Sequence, residues 1–236
     1  MESLIQDTIE SRVQSVLAKI RSAAERAGRP TGTVRLVAAT KTVGIEQIAE
    51  GVRAGLSILG ENRVQEALTK IPVFNRGPVQ WHFIGQLQRR KVRSVVGMFD
   101  LIHSVDSPEL AQEIDRRAGD AGQQQDVLLE VNIGNEPTKA GFLPDDVPQI
   151  VSGLASLSHI CIKGLMAIPP PIADPDSARP YFRKLSELAK MIDAQHLPSV
   201  KMEELSMGMS NDYEVAIEEG ATLVRVGTAI FGARHV

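Results

Sequence analysis

The sequence is poor in cysteine. Cys161 is its single cysteine, so no disulfide can form within the chain, and this fits a protein of a reducing compartment. The residue lies in an apolar run at residues 159–162, and we predict that it is buried as a packing residue.

An excess of charge of one sign is also missing. The chain has 26 Lys and Arg residues against 29 Asp and Glu residues, for a net charge of −3. No basic surface field is therefore expected to attract nucleic acid or an anionic membrane. A small-molecule partner is favoured instead.

Long hydrophobic runs are absent as well. No window approaches the roughly 18 apolar residues of a membrane span. Residues 1–7 lack the basic region followed by an apolar one that marks a secretion signal. Together with the single cysteine, these absences predict a cytoplasmic protein that does not enter the membrane.

Apolar residues recur at three- and four-residue spacing over residues 3–27, which predicts one long amphipathic helix. From residue 34 onward, short β-branched runs alternate with helical segments. Eight strands are predicted at residues 34–40, 57–60, 81–85, 101–105, 127–133, 160–167, 201–207 and 223–227. Helices are predicted between them at residues 45–54, 64–70, 88–97, 108–118, 145–157, 178–194 and 211–219.

Strict alternation of this kind indicates parallel strands joined by right-handed crossovers. Eight such units predict a (β/α)8 barrel of the TIM type, with an N-terminal helix in residues 1–30 and the barrel in residues 34–236. No Gly-x-Gly-x-x-Gly turn follows the first strand and there is no Walker loop, so a dinucleotide fold is disfavoured. The chain is predicted to form a single domain over residues 1–236.

The first predicted strand ends by delivering Lys41, and barrels of this type carry their active sites at the C-terminal ends of the strands. One interpretation is a solvated or ion-paired ammonium group. The other is an amine held in a half-dry mouth, where it acts as a Schiff-base nucleophile. The other predicted strand ends carry Glu61, Asn62, His82, Gly85, Ser104, Asp106, Asn132, Lys139, Met166 and Pro169.

Two glycine-containing segments, residues 206–210 and 227–232, follow the seventh and eighth strands. This is the usual barrel position for a phosphate held by backbone N–H groups at a helix N-terminus, and ordinary tight turns are the alternative. We expect this phosphate site to lie across the barrel mouth from Lys41. Arg225 faces the same side of its strand as Gly227. Its guanidinium is expected either near the ring of a cofactor or in the barrel core, paired with one of three acids. Those acids are Glu61, Glu130 and Glu204.

Six segments closely resemble the pyridoxal phosphate homeostasis protein family. They are Ala-Thr-Lys-Thr at 39–42, Gly-Glu-Asn-Arg-Val-Gln-Glu at 60–66, Trp-His-Phe-Ile-Gly at 81–85, Gly-Leu-Met-Ala-Ile-Pro at 164–169, Leu-Ser-Met-Gly-Met-Ser at 205–210 and Val-Gly-Thr-Ala-Ile-Phe-Gly-Ala-Arg at 226–234. The resemblance runs from about residue 34 to the end of the chain. It implies a barrel similar to the N-terminal domain of alanine racemase, with pyridoxal 5'-phosphate as cofactor and no metal.

The resemblance also implies the cofactor-binding residues. Lys41 is the implied Schiff-base residue, Arg225 approaches the pyridine nitrogen, and Asn62 lies near the ring. The phosphate is held by Ser206, Gly208, Gly227 and Thr228, and the pocket is lined by His82 and Met166. Lys139 matches an accessory lysine. Departures from the family at Arg63 and at residues 86–90 affect only the outer rim.

A racemase needs a second acid/base on the face of the cofactor opposite the lysine. In alanine racemase that group is a tyrosine from a C-terminal domain of the partner subunit, and we expect none here because the chain ends at Val236. Tyr181 and Tyr213 fall in helical segments. We therefore predict a pyridoxal phosphate homeostasis protein without robust catalysis. A weak racemase-type enzyme, with His82 or a bound water as second base, and a Schiff-base aldolase remain the alternatives.

The expected partners are pyridoxal phosphate and, as recipients, the apo forms of pyridoxal phosphate enzymes. The expected oligomeric state is a monomer or weak dimer. The basic run from Arg89 to Arg93 is interpreted as a solvated helix face, with binding of free phosphate compounds as the alternative.

Overall fold

The structure, a computed structural model, describes residues 7–74 and 79–232. Its strands are β1 Arg35–Ala39, β2 Ile58–Glu61, β3 Gln80–Phe83, β4 Leu101–Val105, β5 Gln125–Val131, β6 Ile160–Ala167, β7 Val200–Ser206 and β8 Leu223–Val226. All eight run parallel in a closed barrel, where each strand pairs with the next and β8 pairs with β1. The predicted (β/α)8 fold is confirmed, and each predicted strand is present within a few residues of its expected bounds.

Helices cover the outside of the barrel. They are α1 Ile9–Arg26, α2 Ile45–Arg53, α3 Val64–Phe74, α4 Pro108–Asp120, α5 Val147–Leu154, α6 Arg179–Asp193, α7 Tyr213–Glu218 and α8 Thr228–Phe231. A short 3-10 segment at Pro175–Ala178 precedes α6. α5 is shorter at both ends than the predicted helix over residues 145–157.

The connection between β3 and β4 is helical, as predicted over residues 88–97. It contains a 3-10 helix at Arg89–Ser94. The buried side chains Val92 and Val95 are three residues apart, a spacing that suits the three residues per turn of a 3-10 helix. The predicted helical segment is therefore present, and its 3-10 type could not be predicted because so short an apolar pattern does not distinguish the two kinds of helix.

The N-terminal helix α1 begins at Ile9, later than the predicted start at residue 3, and residues 1–6 lie outside the described chain. Thr8 caps it by accepting a hydrogen bond of 3.1 Å from the N–H of Ser11. α1 packs against α2, α7 and α8, on the outside of the barrel where β8 meets β1. The extra helix therefore covers the junction that closes the barrel.

Two apolar layers hold the barrel together. The outward-facing strand residues pack under the helices in one large core. A second, smaller cluster takes one residue from each of six strands and fills the barrel interior. Its members are Val37, Ile58, Leu101, Leu128, Met166 and Leu223. Because this layer fills the interior, polar side chains beyond it toward the C-terminal ends of the strands belong to the barrel mouth.

No helix within residues 7–74 and 79–232 is both long enough and apolar enough to span a membrane.

Candidate cofactor site at the barrel mouth

Lys41 follows β1 by two residues and is half-buried. Its amine makes neither an ion pair nor a hydrogen bond with any side chain or carbonyl in the described part of the chain. The ion-paired interpretation of Lys41 is therefore not what the structure shows. The next residue, Thr42, has a φ of +63°, a left-handed conformation that is rare for a β-branched residue.

The segment after β8 lies beside Lys41. In the register of the two strands, Val37 is opposite Arg225 and Ala38 is opposite Val226. The expectation that the phosphate segments lie across the mouth from Lys41 was wrong for the second of them, because a closed barrel pairs its last strand with its first. Gly227 follows Val226 and lies against Ala39.

Gly227 is required by this close packing. A Cβ atom at Gly227 would lie 3.1 Å from the carbonyl oxygen of Ala39 and 3.3 Å from its Cβ. A larger residue would therefore push β8 away from the strand that carries Lys41. The space that this glycine leaves is filled by β1 itself.

The segment after β7 folds back as a tight loop. Gly208 has a φ of +87°, and a Cβ there would lie 2.8 Å from the Cα of Tyr213. The N–H of Met209 donates to the Asp212 carboxylate at 2.6 Å, and the N–H of Tyr213 donates to the Met209 carbonyl at 2.9 Å. This turn delays the helix, so α7 begins at Tyr213 and not near Asn211 as predicted.

Several main-chain N–H groups of these two segments have no acceptor among the described residues. They belong to Gly208, Ser210, Asn211, Thr228 and Ala229. Unpaired backbone donors close to one another suit an anion such as a phosphate. The side chain of Ser206, in contrast, points into the barrel and is fully buried.

Arg225 is a buried cation that forms no ion pair with any residue that the structure describes. Its guanidinium donates to the Ser206 carbonyl at 2.8 Å, to the Ser206 hydroxyl, and to the Ala167 carbonyl at 3.1 Å. Burial lowers the pKa of Arg225 to about 10, so it remains charged at neutral pH. Among residues 7–74 and 79–232, no carboxylate neutralises its positive charge through an ion pair.

The core alternative for Arg225, a pairing with an acid, was wrong. Glu61 pairs with Lys70 at 2.7 Å, and Glu204 pairs with Arg35. Glu130 lies near enough to be influenced by Arg225 but forms no ion pair with it. Burial raises the pKa of Glu130 to about 7, and the neighbouring charge of Asp106 adds to this effect.

Ser206 links Arg225 to two buried histidines. His103 Nδ1 is 2.9 Å from the Ser206 hydroxyl, and His103 Nε2 is 3.0 Å from His82 Nδ1. An arginine side chain can only donate hydrogen bonds, so the Ser206 hydroxyl accepts the one from Arg225. The same hydroxyl then donates a hydrogen bond to His103 Nδ1. His103 then donates through Nε2 to His82.

Both histidines are neutral. Burial lowers the pKa of His82 to about 3, and burial together with His82 lowers that of His103 well below its ordinary value. His103 was missed at the sequence level, although it lies two residues after Leu101 and therefore on the same strand face.

The remaining predicted pocket residues lie at the ends of β2, β3 and β6. Asn62 is partly exposed, and Gly85 packs so closely on it that an added Cβ would be 2.2 Å from the Asn62 carbonyl oxygen. Met166 is 2% exposed and belongs to the apolar cluster of the barrel interior. Met166 thus lies below the polar groups of the mouth.

Lys139 joins two loops at the mouth. Its amine donates to the Pro169 carbonyl at 3.1 Å and pairs with the Glu136 carboxylate at 2.6 Å. Asn132 holds the same loop by donating to the Glu136 carbonyl at 2.8 Å. Lys139 therefore fastens the loop after β5 to the loop after β6.

The basic run forms the 3-10 helix after β3. Arg89, Arg90 and Arg93 are exposed, and none forms an ion pair within residues 7–74 and 79–232. Lys91 is half-buried and donates to Gln65 at 3.4 Å. The described residues hold no cluster of His, Cys, Asp and Glu suited to a metal ion.

The site is equipped for a phosphorylated aldehyde. It combines an unpartnered amine at Lys41, a buried guanidinium without a counter-ion at Arg225, and unpaired backbone donors after β7 and β8. These are the groups that an aldehyde, a ring nitrogen and a phosphate would need.

The fold and this site define a barrel of the alanine racemase type, and the family model for the alanine racemase N-terminal domain matches residues 12–235. The pyridoxal phosphate homeostasis protein of Aquifex aeolicus is 47% identical over 94% of this chain and 97% of its own. That of Pseudomonas aeruginosa is 40% identical over 96% of both chains. The chain belongs to the pyridoxal phosphate homeostasis protein family.

Solved structures agree with this assignment. The structure of PipY from Synechococcus elongatus with pyridoxal phosphate bound has a TM-score of 0.82 at 36% identity, covering 95% of this chain and 100% of that one. An alanine racemase of Clostridium difficile has a TM-score of 0.72 at 16% identity, covering 96% of this chain and 57% of its own. The second likeness concerns the fold alone.

Proposed function

We propose that this protein binds pyridoxal 5'-phosphate as a Schiff base on Lys41 and serves vitamin B6 homeostasis in the cell without robust catalysis. The observation that carries the proposal is the unpartnered amine of Lys41 after β1, at the same barrel mouth as the Arg225 guanidinium on β8, which pairs with no carboxylate of the described residues. The names of the relatives and the loaded PipY structure support the same cofactor.

Each part of the cofactor has a candidate partner. The phosphate is assigned to the segments after β7 and β8, which include Ser206, Gly208, Gly227 and Thr228. The Ser206 hydroxyl is engaged by Arg225 and His103, so a contact from this hydroxyl to the phosphate would replace one of those two hydrogen bonds. The remaining assignments are Arg225 to the pyridine nitrogen, Asn62 to the ring, and His82 and Met166 to the deeper wall.

Arg225 determines what the bound ring can do. Pyridoxal phosphate supplies an electron sink when its ring nitrogen is protonated. A permanently charged donor such as Arg225 holds that nitrogen unprotonated and so weakens the sink. The unprotonated amine of Lys41 would hold the cofactor through a C=N bond to its aldehyde carbon, with the aldehyde oxygen released as water.

Neither His82 nor either of the two tyrosines is a ready second base. His82 has a pKa of about 3 and is bonded to His103, so it does not accept a proton at neutral pH. Burial raises the pKa of Tyr213 to about 12. Tyr181 packs against the hydrophobic core. This favours holding the cofactor over turning over an amino acid.

Equilibrium dialysis with pyridoxal phosphate tests the binding site. Lys41→Ala should retain weak, phosphate-anchored binding, whereas Lys163→Ala should bind like the wild type, because Lys163 pairs with Glu203 on another strand. Wild-type affinity in Lys41→Ala would contradict the Schiff-base assignment. Complete loss of binding in Lys41→Ala would contradict the phosphate assignment.

Exchange of the α-hydrogen of amino acids for deuterium tests the absence of robust catalysis. The loaded protein should exchange a panel of amino acids no faster than free pyridoxal phosphate. Rapid exchange that Lys41→Ala abolishes would establish the racemase-type alternative.

The location of the protein, its oligomeric state and the recipients of the cofactor belong to the same proposal. We infer a cytoplasmic monomer or weak dimer that passes pyridoxal phosphate to apo enzymes. Incubation of the loaded protein with an apo transaminase, with a scavenger for free pyridoxal phosphate present, should restore transaminase activity. Failure to restore it would remove the recipient part of the proposal and leave the binding site intact.

A further inference from the structure

A cluster of three charged side chains, of which Glu61 and Lys70 are buried and Glu66 is partly exposed, holds the backbone on both sides of Lys41. The cluster consists of Glu61 at the end of β2 with Glu66 and Lys70 on α3. The Lys70 amine lies 2.7 Å from the Glu61 carboxylate and 3.1 Å from the Glu66 carboxylate.

The first contact of the cluster is with the peptide group that precedes Lys41. The Lys70 amine donates to the Thr40 carbonyl at 2.8 Å. The Thr40 hydroxyl donates to the same oxygen of Glu61 at 2.6 Å, and Thr40 is fully buried. The peptide group between residues 40 and 41 is thus held by a charge-assisted hydrogen bond.

The second contact is with the peptide group that follows Lys41. The Glu66 carboxylate accepts a hydrogen bond of 2.8 Å from the N–H of Thr42. Thr42 is the residue with a φ of +63°, which a threonine does not adopt without support from its surroundings. Glu66 provides that support through a charged acceptor.

Resting on the proposed Schiff-base function, we propose that Glu66, Lys70 and Glu61 are positioning residues that orient Lys41 for imine formation by holding the two peptide groups beside it. The amine itself stays free, because the cluster bonds to the main chain and not to the Lys41 side chain. A reactive lysine needs such an arrangement, since direct pairing would keep it protonated.

A double-mutant cycle tests the proposal with pyridoxal phosphate as the probe. Glu66→Ala should lower the apparent affinity by at least about tenfold when Lys41 is present, since a hydrogen bond to a charged group is typically worth that much. In a Lys41→Ala background the same change should alter the residual affinity by less than about twofold. Equal losses in both backgrounds would overturn the positioning role, because they would indicate a general effect on the fold.

A conservative variant separates the hydrogen bond from the charge. Glu66→Gln keeps an oxygen acceptor for the Thr42 N–H and should recover most of the binding lost in Glu66→Ala. It also serves as the test if Glu66→Ala does not fold. A Glu66→Gln protein that folds and binds as poorly as Glu66→Ala would overturn anchoring of the backbone as the cause.

Glu113→Ala is the matched control, because it removes a carboxylate from ion pairs with Arg116 and Arg117 on α4. Glu113→Ala should change the affinity for pyridoxal phosphate neither with Lys41 present nor in the Lys41→Ala background. The outcome also distinguishes the two levels of the proposal. A wild-type protein that yields no borohydride-fixed adduct refutes the Schiff-base function, whereas a normal adduct with equal losses in the cycle refutes only the positioning role.

Discussion

Two buried cations of this barrel have the same exposure and opposite surroundings. Lys70 and Arg225 are each 6% exposed. Lys70 is paired with two carboxylates, those of Glu61 and Glu66. Arg225 contacts neutral groups alone among the described residues, namely the backbone and hydroxyl of Ser206 and the Ala167 carbonyl.

The difference indicates separate tasks for the two cations. A buried charge is costly unless it is paired, so a complete set of protein partners around Lys70 marks it as part of the scaffold. Arg225 keeps its charge without a counter-ion at the barrel mouth, which suits contact with a bound ligand. Removing each cation in turn should therefore affect different properties of the protein.

Lys70→Met should have the largest effect on stability. It leaves the fully buried Glu61 without its cation, and breaking a buried pair typically costs about 3–5 kcal/mol. Urea unfolding of the protein without cofactor measures this loss. Lys163→Met, which breaks a surface pair with Glu203, should cost less than about 1 kcal/mol. Equal effects of the two variants would contradict a scaffold role for Lys70.

Arg225→Met should lower the stability less than Lys70→Met does, and it should weaken the binding of pyridoxal phosphate more. Two carbonyl oxygens lose a donor, which typically costs about 1–3 kcal/mol. Affinity for pyridoxal phosphate should fall by at least about tenfold. Arg29→Met is the matched control, because Arg29 also donates to main-chain carbonyls, those of Ile217 and Ala221. If Arg29→Met weakened binding equally, the assignment of Arg225 to the cofactor would fail.

The neutral network around Arg225 predicts a dependence of stability on pH. The pKa of His82 falls from 6.5 to about 3 on folding, so the unfolded chain binds a proton first as the pH drops. The stability contributed by neutral His82 is present above pH 6.5 and is lost progressively as the pH falls toward 3. When the pH is lowered from 6 to 5, the free energy of unfolding should fall by about 1 kcal/mol less in His82→Gln than in the wild type. Urea unfolding at the two pH values measures this difference. His159→Gln is the control variant, because His159 is exposed. If the free energy of unfolding changed equally with pH in His82→Gln and in the wild type, the result would contradict burial of a neutral His82.

Gly227→Ala should have the smallest effect on stability, about 1 kcal/mol, because one methyl group then meets the Ala39 carbonyl. Binding should weaken as well, since the segment after β8 is then pushed away from the strand that leads to Lys41. Gly153→Ala in α5 is the control, because nothing lies within 4 Å of the added methyl group. That variant should be neutral or slightly stabilising, and a larger loss there than at Gly227 would contradict close packing of β8 on β1.

The sequence was most informative where one strand was enough. Lys41 could be placed at a strand end, and the alternation of side chains put Arg225 on the same face as Gly227. The repeated change between strand and helix patterns predicted the barrel. These inferences need only local periodicity, and the strands and the closed barrel on which they rest are present in the structure.

Features that depend on pairing between distant strands were not predictable in this way. The position of the β8 segment beside Lys41 follows from closure of the barrel, which local patterns do not show. The partners of Arg225 and the participation of His103 depend on the register across four strands. The Lys70 cluster joins β1, β2 and α3, so no single segment reveals it.

Peptide mapping after borohydride reduction of the loaded protein tests the central claim most directly. Reduction fixes an imine to the lysine that formed it, and the pyridoxyl group should be recovered on the peptide that contains Lys41. Lys41→Ala should then carry no fixed group. Recovery of the group on Lys139 or Lys70, with Lys41 unmodified, would contradict the assignment of Lys41 as the residue that holds the cofactor.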